Sequence, residues 1–507
     1  MGKTGVISSG DQHTSQAGAA ILKAGGNTFD AICAAMLTAP LCEPMLTSLG
    51  GGGFMLAKGS NTKPILYDFF VDVPPSRTKE RDFYPIEVDF GTTQQTFHIG
   101  HASIAIPGMV KGIYQIHKER GSMPLKEVIE PALKLAEEGL YLSKMQAYFV
   151  TLLEPILRST KESEALFCND KNHLIDHTHL FKNSEYAQFL ESFATEGDRL
   201  FYEGEIAKSI EQICKENGGD LKREDFSNYK LIQREPIEFG FRGKTIITNP
   251  PPSAGGILIA FALKLLEKEN LESFGSQTHL RKLIEAMVIS SDFRTQMIDE
   301  HLHRAGLEAI LKDKSAMEPY FQAYRNRINL WGNTTHISVL DSQGNAASVT
   351  MTNGEGSGVI APKSGIMLNN MLGEEDLNPH GFFSWQSGVR LPSMMAPTMV
   401  LQNSAIEMVL GSAGSNRIRS AIVQSIINFV EFGFPIQKCC DASRIHYERG
   451  ELFIEPGFPG ESIKSIQKSY PTTLFDDISV FFGGVNAVDN HFQGGCDPRR
   501  GGSVIVV

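Results

Sequence analysis

The distribution of β-branched and polar residues predicts a pair of strands in the second half of the chain. Two Thr-, Val- and Ile-rich runs flank a short polar stretch, and the three segments are Thr334–Leu340, Asp341–Asn345 and Ala346–Thr352. β-Branched residues favour strands, and a cluster of Asp, Ser, Gly and Asn favours a turn. Because hairpin strands are antiparallel, Leu340 faces Ala346, and the same register places Thr334 opposite Thr352. We therefore expect two hydroxyl groups within reach of each other.

Apolar residues spaced three or four positions apart predict several helices. They cover Ala17–Leu22 after a polar start, Phe29–Leu41, Pro124–Gly139, Glu205–Asn217, a stretch ending at Leu266, and Ile418–Val430. The segment Phe29–Leu41 is apolar nearly all round, so we expect it to be buried. The stretch Tyr141–Leu200 is polar, and we expect surface helices there.

Four consecutive glycines, Gly50 to Gly53, precede a predicted strand. A glycine-rich loop can cradle a phosphate, but no Lys-Ser or Lys-Thr follows here, and the next segment is a strand instead of a helix. The glycines of Thr352–Gly358 likewise precede no helix, which argues against a dinucleotide loop. We expect instead that the backbone at Gly50–Gly53 approaches another segment closely.

Composition limits the classes of partner. The chain has 507 residues, a formal charge of -11 and a pI near 5.7, which argues against nucleic acid or an anionic membrane as the main partner. No signal peptide or membrane-spanning run is visible, so we expect a soluble, cytoplasmic protein. Its seven cysteines are scattered without zinc spacing, and we expect them to be reduced. We expect no cofactor and no metal ion.

The hydroxyl of Thr334 is a candidate nucleophile that lacks a nearby catalytic base. No Ser/His/Asp or Cys/His signature stands close to it. If the peptide bond between Asn333 and Thr334 is cut, Thr334 gains an α-amine, whose pKa of about 7.7 to 8.0 suits general-base catalysis. One residue would then supply nucleophile and base. The alternative is that a Thr-Thr pair at a strand start reflects ordinary β-propensity.

A resemblance favours the catalytic interpretation. The run from Thr334 through Asp341, Thr352 and Ser364–Asn370 resembles the start of the small subunit of γ-glutamyltranspeptidases. These are N-terminal-nucleophile hydrolases that cut themselves before this threonine. The resemblance implies an α/β fold, a four-layer α/β/β/α sandwich, in which a large-subunit segment, 1–333, and a small-subunit segment, 334–507, interleave in one domain. It also implies that Thr352 orients the nucleophile.

The resemblance further implies an oxyanion hole at the start of the helix Ile418–Val430. The family has two adjacent glycines whose N–H groups bind the oxyanion, and they match Gly414 and Ser415 here. Because the donors are backbone atoms, a serine can supply one if the turn needs no positive φ. Ser415 as a simple helix cap is the alternative.

The substrate-binding residues implied by the resemblance are only partly kept. Glu374 matches the acidic residue that binds a substrate α-amine, although an acidic run on a loop can also be a solvated turn. Asn353 and Ser393 match further substrate contacts. Met394 replaces the second of two carboxylate-binding serines, and Phe70-Val71 occupies the place of an arginine. We expect weakened γ-glutamyl recognition with the nucleophile retained.

Three functions follow from this pattern. The first is a γ-glutamyltranspeptidase-like enzyme that cuts itself before Thr334 and hydrolyses or transfers an acyl group, by default γ-glutamyl, from an amide such as glutathione. The second is an acylase of the same family acting on another amide, and the third is an uncleaved, non-catalytic binding protein. The expected partners are a small-molecule amide and a water or amine acceptor, with no nucleic acid and no membrane. Assembly as a homodimer, or as a heterodimer of the two fragments, stays open.

Overall fold

A computed structural model describes residues 2–89, 94–299, 301–303, 306–307, 309, 334–448 and 450–507. Its strands are β1 (Gly5–Ser9), β2 (Gly52–Lys58), β3 (Ile65–Phe69), β4 (Tyr84–Asp89), β5 (Gln94–Ile99), β6 (Leu140–Tyr141), β7 (Leu180–Phe181), β8 (Ile232–Arg234), β9 (Ile237–Phe241), β10 (Lys244–Thr248), β11 (Thr335–Asp341), β12 (Ala346–Thr352), β13 (Ile360–Ala361), β14 (Ile366–Met367), β15 (Thr398–Gln402), β16 (Ala405–Ala413), β17 (Ile445–Glu448), β18 (Glu451–Ile454), β19 (Thr472–Leu474), β20 (Gly484–Asp489), β21 (Gly494–Gly495) and β22 (Ser503–Val506).

The helices lie mainly between the strands of the first half of the chain. They are α1 (Gln12–Lys23), α2 (Thr28–Cys42), α3 (Met109–Arg120), α4 (Leu125–Glu138), α5 (Lys144–Leu152), α6 (Glu154–Leu157), α7 (Lys161–Phe167), α8 (Ser184–Glu196), α9 (Arg199–Tyr202), α10 (Glu205–Asn217), α11 (Arg223–Asn228), α12 (Ala254–Leu266), α13 (Gln277–Phe293), α14 (Arg417–Val430), α15 (Ile436–Asp441) and α16 (Gly460–Gln467). The helices predicted from the apolar period are confirmed, including the burial of α2. None of the described helices is long and apolar enough to cross a bilayer.

Two large sheets form the centre of the protein. The first has the strand order β22-β1-β11-β12-β2-β3-β8, and the second has the order β21-β20-β16-β15-β10-β9. Each sheet contains strands from both sides of residue 334, so the chain before and after this point shares one architecture. The predicted hairpin is confirmed, because β11 and β12 pair antiparallel with Leu340 opposite Ala346.

The sheets pack face to face, and a helical layer covers each outer face. Helices α1 and α2 lie against the first sheet, while α12 and α14 lie against the second. Alternation along β11 explains this arrangement, since Ile337 and Val339 join the core beneath α2, whereas Leu340 joins the core shared with the second sheet. The order of layers is therefore α/β/β/α, as expected from the resemblance.

The glycine run before β2 is a region of close backbone contact, as predicted. A Cβ atom on Gly51 would lie 2.2 Å from the Thr352 carbonyl oxygen, and one on Gly50 would lie 2.2 Å from the Met367 carbonyl oxygen. A side chain at either position would push β12 or the β14 region away. These glycines therefore let the chain pass directly beneath the end of β12.

Candidate active site

One cleft gathers most of the predicted site residues at the end of the β11–β12 hairpin. It encloses about 620 Å³ when the space that opens to solvent is counted. Its lining contains Phe70, Ala254, Arg294, Asp299, Leu302, Thr334, Thr352, Glu374, Asp376, Leu377, Pro379, Pro392, Ser393, Met394, Met395, Ser415 and Ile418. Segments that lie far apart in the sequence therefore form one continuous wall.

Thr334 and Thr352 lie on the two strands of the hairpin where these reach the cleft. The last paired residues are Thr335 and Met351, and continuing the register by one residue sets Thr334 opposite Thr352. Thr334 is only 4% exposed, and its carbonyl oxygen accepts a hydrogen bond of 3.4 Å from Arg500 Nη1. The Thr352 Oγ1 atom accepts a hydrogen bond of 3.0 Å from the Gly354 N–H.

Gly414 and Ser415 form the turn between β16 and α14. Gly414 has φ of 110° and Ser415 has φ of 49°, so the turn places both residues in the region that favours glycine. The condition under which a serine fits freely, a turn without positive φ, is therefore not met. Among the described residues, neither of their N–H groups donates a hydrogen bond to another acceptor, as the oxyanion-hole role requires.

Ser415 does not cap helix α14 with its side chain. Asn416 occupies the N-cap position, and no side chain makes a capping hydrogen bond there. The Ser415 hydroxyl donates instead to the carboxylate of Asp376, across the cleft. The helix-cap alternative for this serine is therefore wrong in this structure.

Three charged residues of the cleft were missed by sequence reasoning. Arg294 continues α13 in a π-helical turn, and it contacts the Asp299 carboxylate at 3.1 Å and the Asn416 side-chain oxygen at 2.7 Å. Asp376 lies in the short turn that follows Glu374. Glu374 and Asp376 thus face different partners, Glu355 and Ser415, and only tertiary contacts distinguish them.

Glu374 lies in the cleft beside a second carboxyl group, that of Glu355. Burial raises the pKa of Glu374 to about 8, the negative charge of Asp376 adds to this rise, and a hydrogen bond with Glu355 works against it. Two carboxyl groups can share a hydrogen bond only when one of them is protonated. A Cβ atom on Gly354 would lie 2.0 Å from Glu374 Oε1, so the Glu374 carboxyl group packs directly against the Gly354 backbone. The position is thus a half-buried acid that lines the cleft, and not a solvated turn.

The wall expected to bind a carboxylate is largely apolar. Phe70 and Met394 line the cleft next to Ser393, in the places where the family resemblance implies an arginine and a serine. The Ser393 Oγ atom accepts a hydrogen bond of 3.0 Å from the Met395 N–H. Arg390 is the basic residue nearest to Ser393 in the sequence. It donates to Asp68 and Asp72 at 2.6 Å each, so its charge is already paired within the protein.

Besides Asn333, two predicted residues are absent from the cleft lining, namely Gly414, which precedes Ser415, and Asn353. Asn353 is 2% exposed and is not part of the cleft lining, and its side-chain oxygen has no hydrogen-bond partner among the described residues. Its assignment to substrate binding stays a prediction. Asn333, the residue before the predicted cut, lies outside the described residues, as does the sequence Arg327–Asn329 that precedes it.

A further buried acid, Glu43, lies behind the nucleophile. The Thr335 hydroxyl donates a hydrogen bond of 2.9 Å to Glu43 Oε1, and Glu43 is 1% exposed. Burial raises the pKa of Glu43 to about 8, with a further rise from the charge of Asp11 and opposing effects from Thr335 and Arg500. The residue next to Thr334 is therefore anchored to a buried carboxyl group whose pKa is raised.

Away from the cleft, three side chains of types that can bind a metal ion lie close together. Asp11, His13 and Cys42 bring one ligand atom each to within 4.8 Å of one another, and none of the three lines the cleft. Asp11 is the N-cap of α1, where it accepts the His13 N–H at 2.7 Å. All seven cysteines are free in this structure, and their reduced state stays a prediction.

Curated relatives match this chain over nearly its whole length. The glutathione hydrolase proenzyme of Escherichia coli (strain K12) is 29% identical over 529 residues, covering 98% of this chain and 90% of that protein. The acylase ACY 1 proenzyme of Pseudomonas sp. (strain V22) is 29% identical over 477 residues, covering 90% of this chain and 85% of that protein.

Solved structures share the fold. A cephalosporin acylase from Bacillus halodurans superposes with a TM-score of 0.87 at 23% identity, covering 99% of this chain and 96% of the other. The γ-glutamyltranspeptidase of Helicobacter pylori gives a TM-score of 0.56 at 26% identity, covering 63% of this chain and 91% of the other. The sequence model described as gamma-glutamyltranspeptidase matches residues 14–507. With its sandwich of two sheets and its threonine cleft, the chain therefore belongs to the γ-glutamyltranspeptidase family of N-terminal-nucleophile hydrolases.

Proposed function

We propose that this protein cuts itself before Thr334 and then uses that residue to hydrolyse or transfer the acyl group of a small amide. The observation that carries the proposal is the meeting of Thr334, Thr352 and the turn at Ser415 in one cleft. Nucleophile, orienting hydroxyl and oxyanion donor are the parts that acyl transfer through an ester requires. Relatives named as proenzymes agree with a chain that is made as a precursor.

Both steps of the proposed mechanism use the same atoms of Thr334. In maturation its Oγ1 attacks the Asn333 carbonyl carbon, the hydroxyl proton passes to the Thr334 nitrogen as the C–N bond breaks, and water opens the resulting ester. In turnover the freed α-amine accepts the Oγ1 proton as Oγ1 attacks the substrate carbonyl. The amine leaving group takes that proton, and water or an acceptor amine releases the acyl group. The Gly414 and Ser415 N–H groups stabilise the oxyanion in each attack.

The default acyl donor is a γ-glutamyl compound such as glutathione, bound with reduced affinity. Of the family's substrate contacts, Glu374 is kept and would bind the α-amine of the glutamyl group. Ser393 is also kept and would bind its α-carboxylate. Hydrogen bonds to a charged group are worth about 1.5 to 3 kcal/mol each, so the loss of the arginine and one serine weakens recognition strongly. The catalytic residues are unaffected by these replacements.

Phe70 and Met394 favour a second candidate, an acylase acting on an amide without the glutamyl α-carboxylate. They present apolar surface where a carboxylate would otherwise be paired. An acyl chain that is apolar near the scissile bond would bind more tightly against these side chains, because each Å² of buried apolar area contributes about 25 cal/mol.

A pair of chromogenic substrates tests the proposal. The purified protein should release para-nitroaniline from at least one of γ-glutamyl-para-nitroanilide and phenylacetyl-para-nitroanilide, and the Thr334→Ala variant should release it from neither. The first anilide supports the γ-glutamyl donor, and the second supports the acylase. An unbroken chain that turns over neither anilide would support the third function, a non-catalytic binding protein.

A further inference from the structure

The oxyanion turn contains a serine in a backbone conformation that serines seldom adopt. Ser415 has φ of 49°, and a residue with a Cβ is destabilised in that region relative to glycine. Such a conformation persists only when surrounding contacts hold it. Within the turn, the Ile418 N–H donates to the Ser415 carbonyl oxygen at 3.1 Å. A contact from another segment to the Ser415 side chain would further hold its N–H group in the oxyanion position.

Asp376 supplies a contact of this kind. Its carboxylate accepts the Ser415 hydroxyl proton, and both residues line the cleft. Asn416, the next residue of the turn, places its Nδ2 atom 3.4 Å from both carboxylate oxygens of Asp376. One carboxylate thus binds two consecutive side chains of the oxyanion turn.

The turn is fixed from the opposite direction as well. Arg294 Nη1 donates to Asn416 Oδ1 at 2.7 Å, and Asn416 Nδ2 donates to Glu448 Oε1 at 2.8 Å. Asp376, Arg294 and Glu448 come from three separate segments of the chain. The Asn416 side chain can therefore adopt few orientations, and Ser415 is left with Asp376 as the partner of its hydroxyl.

We propose that Asp376 is a positioning residue that holds Ser415, and with it the second oxyanion donor, by accepting the Ser415 hydroxyl. A glycine at position 415 would adopt the positive φ without such help. The serine needs a side-chain tether, and Asp376 provides it. The inference rests on the proposed function, because it assigns Asp376 a part in the same acyl transfer.

A different role for Asp376 makes a different prediction. As a cleft carboxylate two residues after Glu374, it could bind a substrate ammonium group directly. In that case its negative charge would matter most and its loss would raise KM. In the tether role its acceptor oxygen matters most and its loss lowers kcat, because oxyanion stabilisation is realised in the transition state.

The test is a mutant cycle on the mature enzyme, measured with whichever of γ-glutamyl-para-nitroanilide and phenylacetyl-para-nitroanilide the parent hydrolyses faster. Asp376→Ala should lower kcat by about 10- to 100-fold, below the loss of about 10² to 10³ seen when an oxyanion donor is removed altogether. In the Ser415→Gly background the same substitution should lower kcat by less than about threefold, because glycine needs no tether. Glu375→Ala, at an exposed neighbouring position, is the matched control.

Asp376→Asn supplies an independent measurement. Its amide oxygen can still accept the Ser415 hydroxyl, so kcat should stay within about fivefold of the parent. Equal losses from Asp376→Ala in both backgrounds, or a loss from Asp376→Asn as large as from Asp376→Ala, would overturn the tether. A parent protein that is neither cleaved nor active would instead refute the proposed function, so the two failures are distinguishable.

Discussion

Thr352 lies opposite Thr334 at the end of the β11–β12 ladder, and both residues line one cleft. The Thr352 hydroxyl is itself fixed, since it accepts the Gly354 N–H at 3.0 Å. The hairpin therefore offers the nucleophile an oriented partner.

Replacing Thr352 tests this relationship. Thr352→Ala should lower kcat by about 10- to 100-fold, which corresponds to the loss of about 1.4 to 2.7 kcal/mol of transition-state stabilisation. Thr352→Ser keeps the hydroxyl and should retain most of the activity. Steady-state kinetics of the mature enzymes would measure the difference, and equal activities of the Ala and Ser variants would exclude the role of the hydroxyl.

Met394→Ser should restore part of the γ-glutamyl recognition. The new hydroxyl would lie beside Ser393, where it can donate to a substrate carboxylate, and one such hydrogen bond is worth about 1.5 to 3 kcal/mol. We expect kcat/KM for γ-glutamyl-para-nitroanilide to rise about tenfold. Phenylacetyl-para-nitroanilide has no carboxylate, and its kcat/KM should stay level or fall. A rise of the same size for both substrates would contradict this account.

The pKa of Glu374, raised to about 8, predicts a pH-dependent preference for amine-bearing donors. Below pH 8 the carboxyl group is mostly neutral and attracts an ammonium group weakly, and above pH 8 it is charged. The ratio of kcat/KM for γ-glutamyl-para-nitroanilide to that for glutaryl-para-nitroanilide, which lacks the amine, should therefore rise between pH 6.5 and 8.5. In Glu374→Gln the ratio should be flat, and the same rise in this variant would assign it to another group.

Glu43 makes a separate prediction for stability. Its folded pKa of about 8 lies above the ordinary value, so the stability it contributes is fully present at acidic pH and is lost as the pH rises through 8. Each proton that only the folded state binds changes the free energy of unfolding by about 1.4 kcal/mol per pH unit. Glu43→Gln keeps an acceptor for Thr335 and should lose less stability than the parent between pH 5 and 8. Urea unfolding at several pH values would measure this, with the exposed Glu375→Gln as control.

Local features of this protein could be predicted from sequence because their causes are local. The register of Leu340 against Ala346 follows from turn length, and the burial of α2 follows from its apolar surface. The cleft beside Thr334 was predictable only through the family resemblance. Nothing in the sequence near Ser415 shows that its φ is positive or that its hydroxyl donates a hydrogen bond to Asp376, 39 positions earlier. Arg294 reaches Asn416 across 122 positions, a contact that only the folded chain creates.

The mass and the N-terminal sequence of the purified protein test the central claim most directly. Mass spectrometry under denaturing conditions should show two fragments, with the second beginning Thr-Thr-His at Thr334, and Thr334→Ala should remain one chain. A parent protein that stays unbroken while it hydrolyses an amide would contradict the account, because Thr334 would then have no free α-amine to act as its base.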